Sequence, residues 1–175
     1  MPDEPHQVHL DAALALEAEA QRALLSGEPS AAGFVAAAIE YRASWESAPP
    51  ASYGRIVGML KAAVLGGTPD GAAAFALSEV PADAASPVAA YARAVASLIV
   101  GDPKGAQTAA TTMRPAGGAF ERTAVAIAAI ATGDDKAFTA AHAAIVADFE
   151  ARPAHLTGVP IADTAIMLER LAARR

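Results

Sequence analysis

The sequence predicts an all-α fold of about nine helices, an array of antiparallel helical hairpins that winds into a right-handed α-solenoid. Three observations support this class. Strong helix formers, above all Ala, Leu, Glu and Arg, dominate the segments between the Gly and Pro residues. β-branched residues never gather in alternating runs, so no strand is indicated. One short phrase that ends a helix and starts another occurs four times along the chain.

The recurring phrase has the character of a tight turn between two helices. Its copies are LLSGEPSAAG (24–33), VLGGTPDGAA (64–73), LIVGDPKGAQ (98–107) and AIATGDDKAF (129–138). A glycine stands in each where a left-handed residue ends a helix, at Gly27, Gly67, Gly101 and Gly133. An acidic or hydroxyl residue follows, where its oxygen can accept from free N–H groups of the next helix, at Glu28, Thr68, Asp102 and Asp134–Asp135. We therefore expect each copy to join two antiparallel neighbours.

These turns and the remaining Gly and Pro residues define the expected helices. Ser52 is a candidate N-cap of the third helix, and Ser86 caps the fifth with Pro87 in its first turn. The expected ranges are about 7–25, 31–47, 52–66, 71–79, 87–100, 105–113, 119–131, 135–150 and 161–175. We expect one helical-repeat domain over residues 1–175, with residues 1–6 disordered.

The turns also repeat at a regular distance. The intervals between their glycines are 40, 34 and 32 residues, a period typical of helical hairpin arrays. Three copies combine the glycine with an acidic residue and a later alanine: Gly101, Asp102 and Ala106; Gly133, Asp134 and Ala137; Gly27, Glu28 and Ala31. In these residues the chain resembles the tetratricopeptide (TPR) superfamily. The resemblance implies stacked helix pairs, each contacting mainly its neighbours, and a concave face that binds a partner.

The last third of the chain carries a second resemblance. Gly133, Asp134 and Phe138 open a helix, and Leu171-Ala172 lie in the final one, after the irregular stretch 151–160. In these residues the chain resembles a family of bacterial immunity proteins from polymorphic toxin systems. That resemblance implies a protein that neutralises a toxin by binding it.

Composition limits the classes of partner. The formal net charge is −6, and the Lys and Arg residues are scattered singly, so we expect no nucleic-acid partner. Arg170, Arg174 and Arg175 form the one basic cluster, which we interpret as cations that complement a helix C-terminus. No uncharged stretch approaches the length of a membrane span, the N-terminus has no apolar signal region, and there is no cysteine. We expect a soluble cytoplasmic protein with no membrane partner.

No standard catalytic, nucleotide-binding or metal-binding motif is present, so we expect no enzyme activity, no cofactor and no metal. Histidine is the remaining candidate for ligand or base chemistry. His6 and His9 lie beside acidic residues in the terminal segment, where a specific metal site is not expected. His142 lies on the apolar stripe of the eighth helix, which favours a core histidine. The alternative is an enzyme, or a helical protein that binds a metal or small ligand, using His142 and nearby carboxylates; the sequence assigns no role to His155.

Large and polar-tipped side chains concentrate in one segment, residues 40–61. Such side chains anchor many binding sites, and the cations would suit a carboxylate or an acidic peptide. The candidate partner-binding residues are Tyr41, Arg42, Trp45, Tyr53, Arg55 and Lys61. The competing interpretation is a core in which Tyr41 and Trp45 pack and Arg42 pairs with Glu46.

The leading hypothesis for function is therefore a non-enzymatic protein- or peptide-binding module with a groove near residues 40–61. A toxin-neutralising immunity protein is a special case of that class. Self-association as a homodimer is a further possibility, since alanine-rich apolar helices can pair across a two-fold axis.

Overall fold

The computed structural model describes residues 4–175, and within them the chain forms nine α-helices, one 3₁₀ turn and no strand. The all-α class and the number of helices are thus confirmed. The helices are α1 (Pro5–Leu25), α2 (Ala31–Ser47), α3 (Gly54–Gly66), α4 (Pro69–Glu79), α5 (Pro87–Ile99), α6 (Pro103–Met113), α7 (Gly118–Thr132), α8 (Asp135–Glu150) and α9 (Asp163–Ala172). The 3₁₀ turn, Arg114–Ala116, lies between α6 and α7.

The four repeated turns have the predicted backbone. Their glycines all adopt the left-handed conformation, with φ of 72°, 80°, 74° and 71° at Gly27, Gly67, Gly101 and Gly133. Two of the four polar residues cap the next helix: Asp102 accepts from the Gly105 N–H and Asp134 from the Ala137 N–H, each at 2.9 Å. The other two do not: Ser30, and not Glu28, is the N-cap of α2, and Thr68 is the N-cap of α4 but makes no side-chain cap bond.

The observed starts of α1, α3, α4, α6 and α9 each differ from the predicted ones by two residues, and α9 ends at Ala172 rather than at residue 175. α3 begins at Gly54, and the Ser52 hydroxyl donates back to the Pro49 carbonyl at 2.7 Å instead of capping the helix. α1 begins at Pro5, so Pro5 and His6, expected to be disordered, lie in its first turn. The His6 carbonyl accepts from the Ser44 hydroxyl of α2, which ties this turn to the fold. The rest of the expected disordered segment, residues 1–3, lies outside the described residues.

The core is built mainly from alanine, with larger side chains at intervals. One apolar cluster includes buried residues from Ala13 of α1 to Leu171 of α9. Small side chains allow helix axes to approach closely. Each helix packs against the next one in the chain, and α3 with α5 and α5 with α7 are also in contact.

The last helix departs from a nearest-neighbour arrangement. α9 contacts α3, which lies about a hundred residues earlier, as well as α7 and α8. The Arg170 guanidinium donates to the Val64 and Leu65 carbonyls, and that of Arg175 to the Ile130 carbonyl. These cations therefore complement the C-terminal ends of α3 and α7, where unsatisfied carbonyls and the negative end of the helix dipole lie.

Candidate functional site

A charged cluster is buried where α1, α3 and α9 meet. The Lys61 ammonium lies 2.7 Å from Asp163 Oδ2 and 3.3 Å from Glu17 Oε1. The Glu17 side chain is fully buried, and the Asp163 and Lys61 side chains are 8% and 15% exposed. Two carboxylates face one ammonium, so the three groups together carry a formal charge of −1.

Neutral polar groups complete this cluster. The Tyr41 hydroxyl donates to Glu17 Oε2 at 2.5 Å, and the Gln21 amide donates to Asp163 Oδ2 at 2.9 Å. The Thr157 hydroxyl donates in turn to the Gln21 amide oxygen. These contacts join α1 and α2 to α9 and to the irregular segment before it.

The position of the Tyr41 ring depends on a glycine. A Cβ added at Gly58 of α3 would lie 2.6 Å from the nearest ring atom of Tyr41, closer than real contacts allow. The absence of a side chain at Gly58 is therefore what lets the ring reach Glu17 under α3.

Burial and charge shift the pKa values of these groups. Burial alone would lower the pKa of Lys61, but the carboxylates of Asp163 and Glu17 outweigh it, so the pKa lies above its usual value. Burial, followed by the Glu17 carboxylate, raises the pKa of Tyr41. Burial also raises the pKa of Tyr91 of α5. Lys61 is therefore an ammonium, and both tyrosines are neutral, at physiological pH.

A largely apolar cavity of about 270 Å³ opens beside this cluster, between α3, α5, α7 and α8. Its apolar walls are the side chains of Val57, Val88, Tyr91, Ala119, Phe120, Ile145 and Phe149. The polar residues on its lining are Arg122, Thr123, Asp148, Arg152 and Thr164. Tyr91 and Phe120 meet edge to face with their ring centroids 6.5 Å apart, which fixes one wall.

A second cavity of about 200 Å³ lies next to the first. It is lined by Lys61, Gln21, Thr157 and Asp163 of the charged cluster, among others. Phe149, Arg152 and Thr164 line both cavities. We call the two cavities together the Phe149 cleft: it has an apolar end and a polar end, with Lys61 and Asp163 on the lining of the polar end.

Two arginines share one carboxylate at the apolar end. Arg122 Nη2 donates to Asp148 Oδ1, while Nε and Nη2 of Arg152 donate to Oδ2. The bond from Arg152, with the bond from Arg122 in addition, holds the pKa of Asp148 below its usual value. The Arg152 guanidinium also lies over the Phe149 ring, 4.2 Å from its centroid. The three charges sum to +1, and the side chains of Arg122 and Arg152 remain 34% and 37% exposed.

The structure separates the six candidate residues predicted from segment 40–61. Tyr41 and Lys61 belong to the buried cluster. Trp45 and Tyr53 stack with centroids 5.5 Å apart, and the Trp45 indole donates to Glu79. Arg42 pairs with Glu46 and lies 4.1 Å from the Phe75 ring centroid, whereas Arg55 donates to the Ser44 hydroxyl. Of the six, only Lys61 lines the Phe149 cleft, although its neighbours Gly54 and Val57 on α3 do so as well.

The four histidines each contact a different group. His142 Nε2 lies 3.3 Å from Glu169 Oε1 of α9, and the His155 ring stacks on Phe149 with centroids 6.1 Å apart. His9 Nδ1 lies 2.7 Å from Glu40 Oε2, and His6 Nδ1 lies 3.4 Å from Glu4 Oε2. Asp3, which the sequence places beside them, lies outside the described residues.

The sequence offered partial signals for the residues that it did not identify. Asp148, in the last turn of α8, and Arg152, two residues beyond its end, are spaced i, i+4, a pairing distance on a helix. Lys61 is the single charge in the apolar run GMLKAAVLG, which indicates a buried ion that needs partners. Nothing local pointed to Glu17 and Asp163 as the partners of Lys61, or to Arg122 as a partner of Asp148, because each comes from a distant helix.

No family model, no curated protein and no solved structure matches the chain. Within residues 4–175, no group of three His, Asp or Glu side chains is placed to hold a metal ion. In the same residues, no helix has both the length and the apolar character that crossing a bilayer requires.

Proposed function

We propose that the protein is a non-enzymatic, TPR-like binding module that takes an apolar group of a protein or peptide partner into the Phe149 cleft. The observation that carries this proposal is the apolar cavity of about 270 Å³ with charged groups at its edge. Small-molecule and peptide sites commonly combine apolar walls with a few converging polar groups. This cleft takes the place of the groove near residues 40–61 as the proposed binding surface.

The size of the cavity favours a single side chain as the anchor. An apolar cavity of about 150 Å³ holds a benzene molecule, and sites for drug-sized ligands start near 300 Å³. A volume of about 270 Å³ falls between these limits. It suits one aromatic or large aliphatic side chain, the kind of group that dominates binding hot spots.

Selection from a random peptide library tests the proposal. The wild-type protein should enrich peptides that share an aromatic or large aliphatic anchor residue. Ala119 is exposed and lines the apolar cavity, so Ala119→Trp should obstruct the cavity and weaken binding of the selected peptides at least tenfold. Ala140→Trp, on an exposed part of α8 outside the lining, is the matched control and should bind as the wild type does.

A third variant tests the groove that the sequence suggested. Trp45→Ala removes the stacked Trp45–Tyr53 pair and leaves the cleft lining intact. If Trp45→Ala lost the selected peptides and Ala119→Trp kept them, the Phe149 cleft would be the wrong site. If the wild type enriched no peptide family, the binding function itself would be refuted.

A further inference from the structure

The two arginines of the Phe149 cleft offer donors that the protein does not use. Among the described residues, Nε and Nη1 of Arg122 and Nη1 of Arg152 donate to no protein acceptor. Asp148 holds the two guanidiniums on either side of its carboxylate but neutralises only one of them. One positive charge therefore remains at the edge of an apolar cavity, where it is open to solvent.

We infer, on the basis of the proposed function, that the anchor is the C-terminal residue of a peptide, with its free α-carboxylate bound by Arg122 and Arg152. The planar guanidinium groups fix the directions of these remaining N–H bonds, and each of them can donate to a carboxylate oxygen. The net charge of +1 is complementary to the single negative charge of a peptide C-terminus.

The positive charge of the arginines lies next to the apolar wall of the cavity, and this short distance favours an α-carboxylate as the ligand group. The Arg152 guanidinium carbon lies 4.2 Å from the Phe149 ring centroid, so the charge lies directly on the wall. In a C-terminal residue, the carboxylate and the side chain are attached to the same carbon. An Asp or Glu next to the anchor would instead place its carboxylate at least one Cα spacing away, about 3.8 Å along the chain.

The polar end of the cleft gives the ligand its orientation. Lys61 is already paired with Asp163 and Glu17, and that cluster has a formal charge of −1. A third carboxylate is repelled there, because like charges at close range in a buried site are costly. The carboxylate therefore binds at the arginines, and the rest of the peptide leaves past Phe149 and Arg152, which line both cavities.

Two libraries of bead-bound random pentapeptides, identical except that one ends in a free acid and the other in an amide, test this inference. The wild type should select acids that end in an aromatic or large aliphatic residue. The selected acids should bind at least tenfold more tightly than their amides, the loss expected for a charged hydrogen bond. Arg122→Gln and Arg152→Gln should remove most of this acid–amide ratio, whereas Arg114→Gln, at an exposed position outside the cleft, should keep it.

The ratio of acid binding to amide binding distinguishes arginines that bind the carboxylate directly from arginines that only maintain the shape of the cleft. A variant that only distorts the cleft weakens acid and amide equally and leaves the ratio unchanged, which would overturn the inference. Because the wild-type ratio needs no variant, it remains decisive even if Arg152→Gln fails to fold. Equal binding of acids and amides refutes the C-terminal inference but keeps the peptide-binding function, whereas selection from neither library refutes both. If 3-phenylpropionate binds as tightly as the selected acids, the ligand is a small carboxylic acid and the peptide assignment is wrong.

Discussion

Lys61 is the residue on which the charged cluster depends, because it is the single cation between two carboxylates that come from α1 and α9. A buried ion pair adds little net stability compared with an apolar replacement of the whole pair. Removing one partner is different, since the remaining charges stay buried without compensation. The cost of losing Lys61 is thus expected to exceed the value of the interaction itself.

We predict that Lys61→Met lowers the free energy of unfolding by about 3–5 kcal/mol, because Glu17 and Asp163 then lack a counter-charge. Urea unfolding followed by circular dichroism at pH 7 measures this difference. Lys136→Met, an exposed lysine of α8, is the control and should change stability by less than about 0.5 kcal/mol. A Lys61→Met protein as stable as the control would show that the carboxylates reach water or another partner.

At the level of single helices, α9 is anchored to other helices at both of its own ends. Asp163 in its first turn joins the buried cluster, and Arg170 in its last turn donates to the carbonyls at the end of α3. A cation at a helix C-terminus gains from both the unsatisfied carbonyls and the helix dipole. Arg174 pairs instead with Asp70, and the side chains of these two residues are 43% and 81% exposed.

We predict different losses of stability when these two arginines are replaced. Arg170→Met should lower the free energy of unfolding by about 1–2 kcal/mol, since the end of α3 loses its donor. Arg174→Met should lower it by less than about 0.5 kcal/mol, because exposed ion pairs contribute little. Thermal and urea unfolding of both variants provide the comparison, and equal losses would show that Arg170 does not cap α3.

The helices could be predicted from the sequence because their signals are local. The left-handed glycines, Ser86 and the two aspartate caps act within a few residues of themselves, and the predicted bounds of α2 and α8 agree with the structure. Ser52 misled the prediction of α3 because its hydroxyl turns back to Pro49. The site could not be predicted in the same way. The residues that form it lie far apart in the sequence. Nothing in the sequence around Glu17 or Asp163 distinguishes either of them from a carboxylate on the surface.

Across the whole molecule, the buried cluster links the ionisation of single groups to global unfolding. The pKa values of Lys61 and Tyr41 are raised in the folded state, so the folded protein keeps protons that the unfolded chain releases above about pH 10. The stabilisation that corresponds to these shifts is fully present below that pH. It falls as the pH rises from about 10 toward the folded pKa values, because unfolding then releases protons.

We predict that the free energy of unfolding declines steeply between about pH 10 and 11, and that Tyr41→Phe flattens this decline by removing one of the three groups whose pKa the fold raises, Lys61, Tyr41 and Tyr91. The measurement is urea unfolding at steps of half a pH unit from about 8 to 11. Tyrosinate absorbance, recorded in parallel, should rise together with loss of helix. Equal slopes in the wild type and Tyr41→Phe would mean that Tyr41 ionises without unfolding.

The contact between α3 and α9 joins two helices that the ribosome makes at different times. Asp163 follows Lys61 by 102 residues, from 61 to 163. At a synthesis rate of about 5–20 residues per second, Asp163 is added roughly 5–20 s after Lys61. Throughout this interval Asp163 is absent, so Glu17 is the one carboxylate of the cluster that the chain contains, and no residue of α9 is present to line the polar end of the cleft. The α1–α3 part of the chain must therefore remain unaggregated with this face uncovered until the last helix has been made.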